Sequence, residues 1–379
     1  MQVNFTSEKI TDHLYRVRGI GDACMYFIRG TERGLLVDTA YGVGDLKGYI
    51  ENSFKIPYDV VVTHGHADHA NGIAQWDRVY MNHADIDLYW TKTDVSFRKS
   101  MLKRSVPDIE EYPDELFQGD FRGEFLDLQE GMKFDLGGVT VEPYHAPGHT
   151  QGIMVLLIVE DRICLFGDAC GVFTFLFKPE SSTVDVYRKT LSKLLAMKDR
   201  YDRILRQHGT CESPLSLVEE NLEVAEEILK GTDDHIPWQY QGQDVWIAKK
   251  TDFKTGIRAD GKSGNIVYDE HKIKEEVHKM RKIVLFCAAG MSTSLLVSKM
   301  KKAAQEAGLD YQIDAHPLSE TANFGPDADM ILLGPQVMYK LKDTQKQFPD
   351  KPVEAIKMQD YGMMRGDNVI KRVREVLGD

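Results

Sequence analysis

Three histidines and an aspartate lie within six positions, in the stretch His64-Gly65-His66-Ala67-Asp68-His69. Neutral imidazole and carboxylate are the ligands that Zn, Fe or Mn take in open catalytic sites. A lone histidine is usually a surface or hydrogen-bonded core residue, but this density of ligand-type side chains favours metal binding over a solvated loop. Residues 58–62, just before the cluster, are rich in valine and predict a buried strand. The cluster is therefore expected where a strand ends and the chain turns.

Three later stretches also carry ligand-type side chains, each on a turn after a predicted strand. They are Pro147-Gly148-His149-Thr150, Phe166-Gly167-Asp168-Ala169 and Gln207-His208-Gly209. In residue type and order, these stretches and residues 64–69 resemble the four metal-binding motifs of the metallo-β-lactamase-fold hydrolases. The resemblance extends over residues 1–231 and implies an αββα sandwich with two divalent metal ions. Zinc is expected first, with iron and manganese as alternatives, because nitrogen and oxygen ligands do not separate these metals.

The same resemblance implies a role for each ligand residue. The first ion would bind His64, His66 and His149; the second would bind Asp68, His69 and His208, with Asp168 as the bridge. A water held between two cations loses a proton near neutral pH and becomes a nucleophile. Asp68 would also orient this nucleophile, which makes it a catalytic residue. Position 66 holds histidine where the family's flavo-diiron branch holds glutamate, so oxygen-reducing chemistry is not expected.

Residues 90–131, between the first and second motifs, have a looser pattern with several basic side chains. This segment is open to two interpretations, a lid over the site or a solvated helix. If it is a lid, the candidates to hold an anionic substrate are Arg98, Lys99, Lys103 and Arg104.

Two cysteines and a serine-proline pair also lie near the ligand motifs. Cys170 and Cys211 are each close to a motif, and neither is favoured as a ligand because the implied set is complete without them. Ser213 and Pro214 predict the start of a helix, as N-cap and first helical residue.

The length of 379 residues exceeds what one hydrophobic core usually holds, so two domains are expected. A net charge of −12 and a pI near 5.5 argue against nucleic acid as a partner. No apolar run reaches ~18 residues, and the N-terminus lacks the basic and apolar regions of a secretory signal. The five cysteines are scattered singly, which fits a reducing cytoplasm better than a disulfide framework.

Residues 232–279 are rich in turn signals and are predicted to form an extension and linker. Within them begins a charged stretch, residues 271–282, whose spacing is typical of a helix. We place the domain limits at 1–231, 232–279 and 280–379.

The second unit opens with an apolar strand, residues 283–286, that ends at Cys287. A loop of small residues and a helix follow: Ala288, Ala289, Gly290, Met291, Ser292, Thr293 and Ser294. Backbone amides at a helix start bind anions and favour a thiolate, although a buried cysteine in a tight α/β turn would look similar. Three further apolar runs with crossovers predict a four-stranded, parallel, doubly wound α/β domain with a phosphate loop.

Residues 281–378 closely resemble the lactose/cellobiose-type IIB components of the bacterial phosphotransferase system. The resemblance rests on the loop 287–294 and on two later stretches, residues 332–337 and 351–353. It implies that Cys287 accepts a phosphoryl group from a IIA histidine, bound by the loop, and passes it to a sugar held by a membrane IIC component. The related tyrosine phosphatases need arginine six residues after the cysteine; Thr293 stands there, which argues against hydrolysis at this site.

The sequence as a whole predicts a bifunctional cytoplasmic enzyme, peripheral at the membrane through a IIC partner. Its hydrolase half would cleave an ester, lactone or similar bond of a small molecule, with a phosphorylated sugar as the leading substrate. In the alternative, the IIB domain regulates or docks a hydrolase of a thioester or phosphodiester. Assembly as a homo-oligomer stays open.

Overall fold

The structure, a computed structural model, describes residues 3–274, 280–288 and 291–378. Ala289 and Gly290 of the predicted phosphate loop lie outside the described residues, as do the side chains of Met291 and Ser292. The chain divides into two units, Met1–Glu275 and Glu276–Asp379. Within the described ranges, no helix has the length and apolar character needed to cross a membrane.

Two large sheets form the centre of the first unit as far as it is described. The first sheet keeps chain order: β1 (Thr6–Lys9), β2 (Leu14–Arg18), β3 (Cys24–Arg29), β4 (Gly34–Val37), β5 (Tyr58–Val61), β6 (Arg78–Met81) and β7 (Glu124–Asp127). The second has the order β14-β13-β11-β10-β9-β8 and contains β8 (Phe134–Asp135), β9 (Thr140–His145), β10 (Met154–Ile158), β11 (Ile163–Leu165), β13 (Arg203–Leu205) and β14 (Glu212–Ser213).

The two sheets pack face to face around a shared core. Tyr26 and Leu35 of the first sheet and Leu156 and Leu165 of the second lie in one fully buried cluster. The inner strands β4, β10 and β11 are rich in large apolar and β-branched side chains and are buried along their whole length, because both of their faces are covered. β10 and β11 pair antiparallel and form a hairpin, and Asp168 follows its second strand.

Helices cover the outer faces of both sheets. The first unit contains α1 (Leu46–Phe54), α2 (Ala67–Ala70), α3 (Ile86–Trp90), α4 (Val95–Leu102), α5 (Val184–Ala196) and α6 (Leu217–Lys230). α1 packs its apolar side on the first sheet, while α5 and α6 pack on the second. The layers are helix, sheet, sheet, helix, which confirms the predicted αββα sandwich.

A smaller sheet lies beside the sandwich, with the order β12-β17-β16-β15 in the described chain. Its strands are β12 (Thr174–Leu176), β15 (Ile236–Tyr240), β16 (Gln243–Ile247) and β17 (Ile266–Tyr268). Most of this sheet comes from the segment predicted as extension and linker. Ile266 and Tyr268 lie in the same buried cluster as residues of α5 and α6, so the segment packs into the first unit. The numerical domain limits stay a prediction.

Two local predictions were wrong. Ser213 lies in β14, paired with β13, and the helix begins later, at Leu217 after Ser216. The second wrong prediction is the helix over residues 271–282. At the start of this stretch the structure has a short 3₁₀ turn, Glu270–Lys272, and at its end a strand begins at Arg281. The residues between, 275–279, are outside the described part.

The described part of the second unit is built on four parallel strands in the order β19-β18-β20-β21. They are β18 (Arg281–Cys287), β19 (Tyr311–Pro317), β20 (Met330–Leu333) and β21 (Val353–Ala355). The helices are α7 (Met291–Glu306), α8 (Thr321–Phe324), α9 (Leu341–Gln347), α10 (Met358–Gly362) and α11 (Gly366–Leu377). Separate apolar clusters lie on the two faces of the sheet. This confirms the predicted doubly wound fold.

Candidate functional site

The residues predicted as metal ligands all follow the carboxyl ends of strands in the sandwich. His64 follows β5, and the next three, His66, Asp68 and His69, lie at the start of α2 and within it. His149, Asp168 and His208 follow β9, β11 and β13, respectively. Neighbouring strands end at the same edge of the sandwich, so these side chains converge although they are far apart in sequence.

His64, His66 and His149 form the first of the candidate metal-binding groups. Nε2 of His64 lies 3.1 Å from Nδ1 of His66, and Nε2 of His149 lies 3.0 Å from the same atom. Three imidazole nitrogens within 4.8 Å of one another can bind one cation.

Asp68, His69 and His208 form a second group next to the first. Nε2 of His208 lies 3.2 Å from Nε2 of His69 and 3.1 Å from Oδ2 of Asp68. Oδ2 of Asp168 is 3.7 Å from Nε2 of His149, 3.8 Å from Nε2 of His69 and 3.6 Å from Nε2 of His208. Asp168 therefore lies between the two groups, and the structure brings all of the predicted ligand residues together.

The ring nitrogens that face away from the first group have partners in a loop and a strand that the sequence did not indicate. Nε2 of His66 lies 2.9 Å from Oε1 of Glu180. Nδ1 of His149 lies 3.1 Å from the carbonyl oxygen of Phe175. These contacts fix which nitrogen of each ring faces inward. The sequence around Glu180 does not indicate this contact, because Glu180 and His66 are 114 residues apart along the chain.

Asp38, at the end of β4, orients the second group. Its Oδ2 lies 2.9 Å from Nδ1 of His69 and accepts a hydrogen bond of 2.8 Å from Nε2 of Gln207. The backbone N–H of Thr63 donates to Oδ1 at 2.7 Å. Asp38 has a φ of 65°, a left-handed conformation that is costly for a residue with a side chain. Sequence reasoning missed this residue; an acidic side chain ending an otherwise buried strand was the available signal.

The electrostatics of the two groups differ. Burial lowers the pKa of His149 to about 4, so its nitrogen is neutral and free to bind a cation. Burial alone would also lower the pKa of His69, but nearby carboxylates, Asp68 first, raise it to about 9. Asp168 and Asp68 likewise outweigh burial at His208 and raise its pKa to about 10. The second group thus lies in a strongly negative field that attracts positive charge.

Two of the basic residues proposed to hold a substrate, Arg98 and Lys99, instead form hydrogen bonds with other residues of the protein. Arg98 is 2% exposed and donates to the carbonyl oxygens of Tyr41 and Gln118. Lys99 donates to the carbonyl of Tyr112 and the carboxylate of Asp114. They stabilise the segment around α4 instead of facing a substrate.

Among the described residues, the candidate metal groups contain neither of the two cysteines near the motifs. The thiol of Cys170 contacts the carbonyl oxygen of Leu217 at 3.7 Å. The sulfur atoms of Cys211 and Cys24 are 3.6 Å apart. The structure therefore gives no reason to treat either cysteine as a ligand.

Cys287 ends β18 in the second unit and is 4% exposed. The hydroxyl of Thr293 donates to its sulfur at 3.2 Å. The same hydroxyl is 2.8 Å from the hydroxyl of Tyr361, which the sequence did not single out. Ala288 and Ser294, on either side of the undescribed part of the loop, are exposed. The sulfur thus lies at the carboxyl end of the sheet, beside the start of α7.

An αββα sandwich with histidine and aspartate groups at its strand ends defines a hydrolase-type domain that is followed by an α/β phosphoryl-carrier fold. The chain belongs to the metallo-β-lactamase superfamily, whose family model matches residues 19–208. Residues 282–372 match the family described as PTS system, lactose/cellobiose-specific IIB subunit. The protein is therefore a metallo-β-lactamase domain joined to a phosphotransferase IIB domain.

Each half has curated relatives of its own. A galactose-specific EIIB component of Lactococcus lactis subsp. cremoris is 48% identical over 102 residues, which are 25% of this chain and 94% of the relative. A cellobiose-specific EIIB component of Lactococcus lactis subsp. lactis is 47% identical over 102 residues, with the same coverage. The human acyl-coenzyme A thioesterase MBLAC2 is 27% identical over 227 residues, 55% of this chain and 72% of the relative.

Proposed function

We propose that the first domain is a two-metal hydrolase of an ester, lactone or thioester bond. The observation that carries this proposal is the pair of three-residue groups with Asp168 between them. We assign the first ion to His64, His66 and His149, the second to Asp68, His69 and His208, and the bridge to Asp168.

The side chains present fit metal ions. Their inward atoms are imidazole nitrogens and carboxylate oxygens, which suit zinc, our first choice, as well as iron and manganese. The outward nitrogens of His66, His69 and His149 already have partners, so each ring keeps one nitrogen for a cation. Bound ions would supply an activated water and polarise the scissile carbonyl group.

The exposed side of the site indicates where a substrate enters. The side chains of Asp68 and Asp168 are 20% and 24% exposed, whereas that of His69 is 0% exposed. We infer that the substrate approaches past the two carboxylates. Asp68 would then hold the attacking water and accept its proton. His64 and His69 are fully buried, so bulk water does not reach their ring nitrogens.

Lys178 supports a substrate that combines negative charge with a flat or apolar part. Lys178 lies two residues before Glu180 in the chain. Its ammonium group lies 4.9 Å from the ring centre of Phe177 and 5.3 Å from the ring centre of Tyr240. A phosphorylated sugar lactone or ester, our leading substrate, offers both features. An acyl-coenzyme A thioester also offers them, and the name of the human relative favours it as the second candidate.

A substrate screen tests these assignments. The metal-loaded protein would be assayed with phosphorylated and unphosphorylated sugar lactones, sugar esters, acyl-coenzyme A thioesters and a phosphodiester. We expect turnover of a phosphorylated sugar lactone or ester, and removal of the metal by a chelator should abolish it. Turnover of the coenzyme A thioesters alone would select the second candidate, and turnover of the phosphodiester alone would contradict the proposal.

We propose that Cys287 of the IIB domain carries a phosphoryl group in sugar uptake. A S–P bond would form at Cys287 as the N–P bond of a IIA phosphohistidine breaks, and a membrane IIC component would then present the sugar. The names of the relatives in Lactococcus favour a galactoside or cellobiose.

The alternative is that phosphorylation of Cys287 regulates the hydrolase. Incubation with phosphoenolpyruvate, the general phosphotransferase proteins and a IIA partner, followed by mass spectrometry, tests acceptance, and hydrolase rates before and after separate the two roles.

We place the protein in the cytoplasm, at the membrane surface when a IIC partner is bound. The five cysteines all carry free thiols, which suits a reducing compartment.

A further inference from the structure

His66 differs from the other two histidines of its group in the nitrogen that it turns inward. Its Nδ1 faces the group, whereas His64 and His149 each turn Nε2 inward. The outward Nε2 of His66 has one carboxylate partner, Glu180, at 2.9 Å. The side chain of Glu180 therefore holds the His66 ring by its outward nitrogen.

The loop that carries Glu180 is attached on one side to the loop of His149. The hydroxyl of Ser181 donates to the carbonyl oxygen of His149 at 2.9 Å. The backbone N–H of Ser182 donates to the carbonyl oxygen of Gly148 at 2.8 Å. These bonds fix the end of the loop that leads into α5.

The other side of the loop is attached to Lys272, from the segment after β17. Its Nζ donates to the carbonyl oxygens of Lys178 at 2.5 Å, Pro179 at 3.0 Å and Ser181 at 2.8 Å. An ammonium group has three protons, so these three bonds use all of them. The three carbonyls flank Glu180 in sequence, and they would repel one another without the cation between them.

We propose that Lys272 and Glu180 are positioning residues for the first metal ion. Lys272 holds the backbone of residues 178–181 in the shape that aims Glu180 at His66, and Glu180 keeps Nδ1 of His66 directed inward and raises its basicity. The inference rests on the proposed metal site. It gives the segment 232–274 a part in the chemistry of the first domain.

Metal affinity of the full-length chain tests this inference without any substrate, so its result is separate from that of the proposed reaction. Zn²⁺ binding would be measured by competition with a chromophoric chelator for the variants Glu180→Ala and Lys272→Met. We expect each to weaken binding of one ion per chain by about 10- to 100-fold, the usual effect of losing a partner of a metal ligand, and to leave the other ion unchanged. Glu180→Gln keeps an acceptor for Nε2 and should recover part of the affinity.

A double-variant cycle separates positioning from mere stabilisation. Because Lys272 acts through Glu180, the variant with both changes should bind the first ion no more weakly than Glu180→Ala alone. The visible absorption of the Co²⁺-loaded protein should change in the same variants. The control is Lys249→Met, which removes a lysine of the same segment that pairs with Glu227 and Asp234 instead. It should leave both affinities as they are.

Wild-type affinity for both ions in Glu180→Ala or Lys272→Met, or additive losses in the double variant, would overturn the inference. If Lys272→Met does not fold, Lys272→Arg takes its place. A guanidinium group cannot direct three N–H bonds from one nitrogen, so a smaller loss of the same ion is expected, and unchanged affinity again overturns the inference.

Discussion

The carboxylate of Asp85 accepts a hydrogen bond of 2.6 Å from the hydroxyl of Thr150, in the loop of the second ligand motif. The backbone N–H of Gly65 donates to the same oxygen at 3.0 Å, and that of Gly152 donates to the other oxygen at 2.7 Å. A Cβ atom at position 65 would lie 2.6 Å from the carbonyl oxygen of Asp85, so only glycine fits between His64 and His66. Asp85 thus joins the loop of these histidines to the loop of His149.

Replacing Asp85 by asparagine should destabilise the protein and loosen the first metal group. Asp85 is 1% exposed, and its carboxylate accepts hydrogen bonds from three donors. The NH₂ group of an asparagine side chain would face at least one of these donors, and that hydrogen bond would be lost. Hydrogen bonds to a charged group contribute roughly 1.5–3 kcal/mol each, so a loss of about that size is expected in the free energy of unfolding. Chemical denaturation measures it. Asp87→Asn, at an exposed neighbouring position, should change the stability by less than ~0.5 kcal/mol; equal stability of the two variants would contradict the role given to Asp85.

Removal of a ligand side chain should reduce metal content and hydrolysis together. The purified protein is expected to carry about two ions per chain, and His66→Ala or Asp168→Ala to carry fewer and to lose turnover. Elemental analysis of the same samples used for the assay gives both values. His83→Ala changes an exposed histidine outside the candidate groups and should match the wild type in both. Full turnover by metal-free protein would exclude the two-metal reaction.

The position at which the first domain is cut should decide whether its metal site survives. A chain that ends at Gly231 loses β15, β16 and β17, and β17 is the partner of β12. The carbonyl of Phe175 in β12 holds His149, so this chain should bind metal poorly or fail to fold. A chain that ends at Lys274 keeps these strands and Lys272, and should bind both ions more tightly than the shorter chain. Equal metal binding by the two chains would show that the segment is a linker after all.

Cys287→Ser should abolish phosphoryl acceptance from a phosphorylated IIA protein. Serine keeps the shape of the side chain but replaces the thiol by a hydroxyl, which ionises far less readily and is the poorer nucleophile. Intact-protein mass spectrometry should show the added phosphate in the wild type alone. Hydrolysis by the first domain should be unchanged, since none of the candidate metal groups found among the described residues contains Cys287. Retained phosphate in the serine variant would mean that another residue is the acceptor.

The sequence by itself determined the ligand-type residues and the two folds. Residues 64–69 carry four such side chains in six positions, and Cys287 follows directly on an apolar strand. These signals are local: a strand shows its burial in its own apolar run, and a dense motif shows its chemistry in its own residue types.

The tertiary structure decided which polar residues hold those ligand-type side chains in place. Asp38, Asp85, Glu180 and Lys272 reach their partners only because strands and loops distant in sequence pack together. It also decided that Arg98 is buried and that β15 to β17 join β12. An isolated acidic or basic residue has the same appearance in sequence whether it is solvated or paired, because the partner that lowers its free energy of burial is supplied by the fold.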